Sequence, residues 1–281
     1  MRANANAKIT NQLSKTDETL VWEAAQIVVE IHHRLADWLH HGVTLAQVDR
    51  FVGTLLKERK VRSAFKRYRI PPHPPFPSHA CLSVNDCVVH GTAGYYREGM
   101  APGDVLKIDI GVVHRGWIGD AAWTYVFGEP NDETRRLMDA GKESIAKGVE
   151  VFEPGAPLVR WARTVQTCVE EEHGLYLVRG LGGHGYGKTL HNPPFVSNVV
   201  LASEEQWPDA MTRCEPGMLL AVEPMIAVGT GQTRQTHRKA WPIFTADGSN
   251  AVHYEHDVLV TENGPRLLTA GIEEVVDVIT R

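Results

Sequence analysis

No stretch of the sequence approaches the roughly 18 uncharged apolar residues needed to cross a bilayer, and Met1 to Lys15 is polar, without an apolar core of signal-peptide length. Both absences argue for a cytoplasmic protein without a membrane partner. Cysteine is scarce: Cys81, Cys87, Cys168 and Cys214 are the only four in 281 residues. None stands in a Cys-x-x-Cys spacing, which argues against a zinc knuckle or a thioredoxin-like pair and suits a reducing compartment. Positive charge is also in deficit, with 29 Lys and Arg against 34 Asp and Glu, a formal net charge of -5 and a pI near 6.3. That balance argues against a nucleic-acid partner. The one basic-looking run, Lys57 to Arg69, is broken by apolar residues and leads into prolines, so it reads as a solvated helix end. What the chain does have is a hydrophobic content of 43% and seven tryptophans. These suffice for a large core in one sizeable domain or two small ones, with disorder confined to the ends.

Leu20, Val21, Ala24, Ile27, Val28, Ile31, Leu35 and Leu39 recur at helical spacing, which predicts a helix over Thr16 to His41, ended by Gly42. A second helix is expected from about Leu45 to Glu58 with Thr44 as its N-cap. The prolines from Pro71 to Pro77 forbid regular structure, and Ala80 to Val89 reads as a strand with a turn at Asn85-Asp86. Asp104 to Phe127 predicts a β-hairpin turning around His114 to Gly116. Helices are expected at about Asp132 to Lys147 and Pro157 to Glu172, and strands within Met218 to Val228 and Val252 to Thr261. Gly180 to Gly187 is too rich in glycine for a helix interior and reads as a flexible loop. This order indicates an α+β fold with helices packed on one face of antiparallel sheet. The expected organisation is a flexible segment, 1–15, followed by a single domain, 16–281.

Two parts of the chain match. Pro102-Gly103-Asp-Val-Leu-Lys-Ile-Asp109 and Pro216-Gly217-Met-Leu-Leu-Ala-Val-Glu223 share a Pro-Gly turn, an apolar strand and a carboxylate seven residues after the proline. The chain therefore reads as two copies of one half, about 16–129 and 130–268. Each half carries a second carboxylate on its following strand, Asp120 and Glu255. A hairpin closing on Val113 and Gly116 would set Asp109 directly opposite Asp120, too close for both to ionise without a counter-charge. Lys107 is expected to point to the other face.

A lone acid in a strand is ordinarily an exposed polar position. Four acids at matched positions in two halves instead suggest convergence on a pair of divalent cations. His184, framed by glycines in Gly182-Gly183-His184-Gly185-Tyr186-Gly187, has little core to pack into, and an imidazole beside four carboxylates suits Mn, Fe, Co or Zn. His90 is as compatible with a core or capping role as with a catalytic one. His253 and His256, flanking Glu255, are ambiguous, and His32, His33, His40, His41 and His73 read as surface residues.

Leu106-Lys-Ile-Asp109, Gly119-Asp120, Gly183-His184-Gly185, Val222-Glu223-Pro224-Met225 and Tyr254-Glu255-His256, in this order, resemble the type 1 methionine aminopeptidases of the pita-bread fold. The match runs from about Asp17 to Leu268. The resemblance implies two divalent metal ions, bridged by Asp120 and Glu255, with Asp109 completing one site and His184 and Glu223 the other. It also implies that His90 and His191 contact the scissile peptide, that Trp241 and Cys81 wall the methionine pocket, and that Glu223 moves the proton of the attacking water. Metal would make that water acidic enough to attack at neutral pH, lowering its pKa from about 15.7 to around 7 in a favourable zinc site. The substrate would be the N-terminus of a nascent polypeptide, met at the ribosome or free of it, and the enzyme a monomer.

The sequence departs from the family in places. Tyr68-Arg-Ile-Pro-Pro-His-Pro-Pro-Phe-Pro77 stands where the family has Tyr-His-Gly-Tyr-Pro, so a different loop shapes the pocket. Asn192-Pro193 follows His191 where bacterial forms often have two acids. An N-terminal zinc-finger extension is not expected, nor is ribosome docking through one. Proline-directed relatives share the ligands but ordinarily carry an extra N-terminal domain, for which about 15 residues leave no room. A binding protein of the same fold would be expected to have lost ligands.

Overall fold

The computed structural model describes residues 13–203 and 205–281. Most of the segment expected to be flexible, 1–15, lies outside the described residues; its last two residues, Ser14 and Lys15, cap and begin the first helix.

Helix α1 (Lys15–Trp38) starts where the Ser14 side chain accepts Asp17 N, and buries Val21, Ala24, Val28, Ile31 and Leu35 along one stripe. Helix α2 (Leu45–Glu58) is fixed by a reciprocal capping box between Thr44 and Gln47. Short strands β1 (Cys81–Val84) and β2 (Cys87–Val89) follow, separated by Asn85-Asp86. The long hairpin of β3 (Val105–His114) and β4 (Trp117–Phe127) comes next. Helices α3 (Asp132–Val149) and α4 (Val159–Gln166) lead into the second half, where α4 widens into a π-helical turn over Thr167–Glu172. The single helix expected over Pro157 to Glu172 is thus two elements, with a change of hydrogen-bond register between them. The second half is built from β5 (Gly182–Gly185), β6 (Asn192–Ser197), β7 (Leu219–Val222), β8 (Met225–Ala227), β9 (Ala251–His253), β10 (His256–Thr261) and β11 (Gly264–Leu267).

Two five-stranded sheets carry the fold. One has β3 and β4 at its centre, with β1 paired to β3 and a parallel edge strand, Val278–Ile279, beside β4. The other runs β11-β10-β7-β5-β6, antiparallel throughout. Helix α1 packs across β3 and β4, while α3 packs on β8 and β9. This is the expected α+β layering. Trp123, Trp161 and Trp207 are among the largest fully buried side chains, and the Trp161 and Trp207 indole N–H groups donate to Asn198 Oδ1 and Phe195 O.

The matched halves agree down to single hydrogen bonds. Gly103 and Gly217 both have φ +96, a left-handed backbone that glycine adopts without strain. Gly103 N donates to Phe127 O at 2.7 Å and Gly217 N to Val260 O at 2.9 Å. Phe127 N returns a bond to Asp104 O and Val260 N one to Met218 O, both at 2.9 Å.

Several expectations need correction. The hairpin closes on His114 and Trp117, not on Val113 and Gly116, because Arg115 (φ 49) and Gly116 (φ 88) form a tight turn with two positive φ angles. Asp109 consequently lies opposite Ala122, and Asp120 opposite Gly111. Lys107 does not turn away from Asp109, since residues two apart share a face of a strand. It is fully buried, with Nζ donating to Asn85 O at 2.7 Å. Gly182–Gly185 is a strand inside a sheet rather than a flexible loop. Its glycines permit close approach: a Cβ on Gly183 would meet Ala221 O at 2.2 Å. Finally, His32 is not on the surface. It is fully buried on the apolar stripe of α1, with Nδ1 2.9 Å from the Tyr125 hydroxyl. Among the described residues no helix is long and apolar enough to cross a membrane.

Candidate metal centre

Five side chains are delivered to one point by strands from both halves. Asp109 and Asp120 come from the same face of the β3–β4 hairpin, and His184 from β5. Glu223 follows β7 where Pro224 interrupts the ladder, and Glu255 lies in the break between β9 and β10. Two hydrogen bonds tie the halves together here, a backbone one from Glu255 N to Ala122 O at 2.9 Å and one from Asp120 N to the side-chain Oδ2 of Asp257 at 2.8 Å.

Asp120, His184 and Glu255 offer ligand atoms within 4.8 Å of one another, and so do Glu223, His253 and Glu255. Glu255 belongs to both groups. His184 Nε2 lies 3.9 Å from Glu223 Oε1, and His253 Nε2 lies 3.1 Å from Glu223 Oε2. Asp109 Oδ1 and Asp120 Oδ1 are buried without a hydrogen-bond partner.

Four carboxylates in one buried place cannot all ionise without positive charge. Burial pushes Asp109 well up, and the neighbouring Glu223 charge adds to it. Asp120 is raised by burial, then by Asp109 and Glu223, and Glu255 by burial, then by Asp120 and Glu223. Burial raises Glu223 to about 8. The histidines cannot supply the missing charge, because burial holds His184 and His253 down at about 3. Nor does Lys107, whose ammonium is bound to Asn85 O. Oxygen and imidazole donors, two orphaned carboxylate oxygens and no adequate protein cation fit divalent metal ions, and the donor mixture suits transition metals.

A second triple of donors, Glu143, Cys168 and His173, lies between α3 and the π-helical turn. It carries its own cation: Lys147 Nζ pairs with Glu143 at 2.7 Å and Glu172 at 2.8 Å.

The main cluster forms the floor of a cavity of about 240 Å³ whose walls are apolar. All nine residues singled out in the sequence line it: the four acids and His184, together with Cys81, His90, His191 and Trp241. The Cys81 thiol is pushed well up by burial and then by Asp109. His90 adopts φ 58, and burial lowers its imidazole to about 4. His191 stands at the mouth, its ring centroid 4.3 Å from that of His184 and its Nδ1 2.6 Å from the Tyr68 hydroxyl.

The proline-rich loop closes the cavity through aromatic contacts. Trp241 Nε1 donates to Pro74 O at 2.9 Å, His73 stacks on Trp241 at 4.7 Å, and Phe76 meets its edge at 5.1 Å. Tyr68 and Phe76, from the loop expected to shape the pocket, therefore join the site, together with Phe65 and Leu190, which the sequence context did not mark. His253, left ambiguous in the sequence, also neighbours the donors, and Asp257, beside Asp120, was missed. Their spacing of two residues on either side of Glu255 was the available signal, since strand alternation places such residues together.

A model of metallopeptidase family M24 matches residues 19–262. The chain belongs to this family. It is 36% identical over 247 residues to a methionine aminopeptidase of Clostridium acetobutylicum, covering 88% of this chain and 93% of that one. The crystal structure of a Thermotoga maritima methionine aminopeptidase superposes with a TM-score of 0.83 at 29% identity, covering 92% of this chain and 98% of that one. A prolidase from Pyrococcus horikoshii shares the fold at a TM-score of 0.71 and 21% identity, but the match covers 94% of this chain and only 65% of that one. The fold is the pita-bread fold of these metallopeptidases, and the centre is one for divalent metal ions.

Proposed function

We propose that the chain is a metal-dependent methionine aminopeptidase, which hydrolyses the first peptide bond of newly made polypeptides. The observation that carries this reading is the pairing of the buried carboxylate cluster with an apolar, aromatic-walled cavity directly above it.

Two metal ions, drawn from Mn, Fe, Co or Zn, are our assignment for the centre. Asp109, Asp120, His184, Glu223 and Glu255 would hold them. The ions supply Lewis acidity and a water of lowered pKa when bound. The rest is done by the chain. Glu223 is placed to take and return a proton at Oε2, beside His253 Nε2, while Asn198 Nδ2 donates to Glu223 O at 2.9 Å and fixes its backbone. Burial keeps the Tyr68 hydroxyl protonated and able to donate to His191 Nδ1, so the imidazole proton resides on Nε2 and is available to a developing oxyanion. His90, at the cavity wall, orients the same peptide bond. Cys81, Phe76 and Trp241 accept an unbranched apolar side chain and exclude water from it.

Cytoplasmic nascent chains are the proposed substrates, met at or after the ribosome by a monomeric enzyme. Four buried cysteines without disulfides suit that compartment. Assay of the metal-reconstituted protein on Met-Ala-Ser and Ala-Pro-Ser tests the reading, with Glu223→Ala as control. Methionine release alone, lost in the variant, supports it. Cleavage before proline moves the protein to the proline-directed branch, and no turnover of either peptide with any of the four metals favours a binding role.

A further inference from the structure

A second cavity, of about 440 Å³, borders two of the same donors, His184 and Glu223. It shares His90, His184, His191 and Glu223 with the first, but its remaining walls are different. Val89, Leu181, Phe195 and Met225 give it an apolar floor, and Asp209 stands on its rim. If the methionine side chain fills the aromatic-walled cavity, the peptide beyond the scissile bond has this groove as its way out.

The groove carries one charge not committed to the metal centre. Its lining holds no lysine or arginine, and apart from Glu223 the single carboxylate is that of Asp209. Asp209 Oδ2 accepts Phe195 N at 2.9 Å, which fixes the side chain on the rim and leaves Oδ1 for a ligand. Arg179, next in sequence to the groove residue Gly180, is already paired with Glu170 at 2.6 Å.

We infer that this groove binds the residues following the methionine, and that Asp209 selects substrates with a lysine or arginine there. The inference rests on the aminopeptidase reading and adds the substrate class preferred by its leaving-group side. A half-exposed carboxylate pairing with a mobile cation gives a modest, salt-sensitive effect, about two- to fivefold in kcat/KM.

The test uses the metal-loaded enzyme and Met-Ala peptides with a single Lys, Gln or Glu at the third, fourth or fifth position. At one of these positions the Lys peptide should exceed the Glu peptide about two- to fivefold, and the ratio should fall towards one at high ionic strength. Asp209→Asn, whose amide oxygen can still accept Phe195 N, should bring the ratio to about one at low salt. Equal rates for Lys and Glu at every position in the wild type would overturn the groove assignment while leaving methionine removal intact, and so would a ratio unchanged by Asp209→Asn. Failure to cleave any Met-Ala peptide would overturn the aminopeptidase reading and this inference with it.

Discussion

Asp109 and Asp120 are diagonal neighbours on one face of the β3–β4 hairpin, each facing the residue two places from the other across the ladder. Directly opposed carboxylates would have Cβ atoms about 4.5–5.5 Å apart, whereas diagonal positions are spaced at roughly 7–8 Å. The wider spacing lets the two acids approach one point from different sides, and that point is shared with Glu223, Glu255 and His184 from the other half. The two-residue turn at Arg115-Gly116 therefore sets the geometry of the centre through the register it imposes.

The metal-free protein should lose stability as pH rises from about 6.5 to 8. Glu223, whose carboxyl ordinarily titrates at 4.5, is raised to about 8 in the folded chain. The folded state thus favours its protonated form, and that contribution fades as pH climbs through the folded value. His184 and His253, held at about 3, act in the other direction below the ordinary histidine value of 6.5, and Lys107, lowered by burial to about 7, does so above that value, whereas Asp109, Asp120 and Glu255, all raised by burial, reinforce Glu223. Thermal melts in chelator should show Tm falling over this window, and saturating Mn(II) should flatten the slope. A flat profile in chelator would contradict the assignment.

Gly183→Ala should damage the centre without altering a donor. The new Cβ would meet Ala221 O at 2.2 Å, which forces β5 away from β7 and carries His184 with it. A stability loss of about 1–3 kcal/mol is expected from such overpacking, together with weaker metal binding measured by titration. Unchanged metal affinity would show that the β5–β7 spacing does not position His184.

Tyr68→Phe should leave metal content unchanged and lower kcat. Removal of the hydroxyl frees the tautomer of His191, at a cost of about 1 kcal/mol for one hydrogen bond, or roughly fivefold in rate. His191→Ala should cost more, about 10²–10³-fold, if the imidazole supports the oxyanion. Equal losses in the two variants would contradict an indirect role for Tyr68.

Phe76→Ala should open the aromatic wall against Trp241. kcat/KM for Met-Ala-Ser should drop about tenfold or more, since one to a few methylenes of contact are worth roughly 1–3 kcal/mol, while peptides beginning with a bulkier apolar residue lose less. Parallel losses for all peptides would mean that the loop 68–77 does not shape the pocket.

Much of this was legible in the chain. Helix α2 matched its predicted ends because Thr44 and Gln47 form a capping box, a local signal. Asp109 and Glu223, which line the same cavity, stood out in the chain because they occupy matched positions after Pro102 and Pro216. The hairpin register was not, since it depends on a turn in which Arg115 takes a positive φ, which composition does not reveal. Gly182–Gly185 was misread because glycine signals looseness in sequence, whereas here it allows two backbones to touch. His32 could have been placed correctly, since it falls on the buried stripe of α1. The loop carrying Tyr68 and Phe76 was marked by its departure from the family pattern, whereas Phe65 and Leu190 join the pocket only through tertiary closure and left no local trace.

The most direct test of the account is methionine release from Met-Ala-Ser by chelator-treated protein, before and after Mn(II) is restored. The account predicts no release in chelator, recovery with metal, and no recovery in Glu255→Gln, whose carboxylate belongs to both donor groups. Methionine release that persists in chelator, or full recovery in Glu255→Gln, would contradict it.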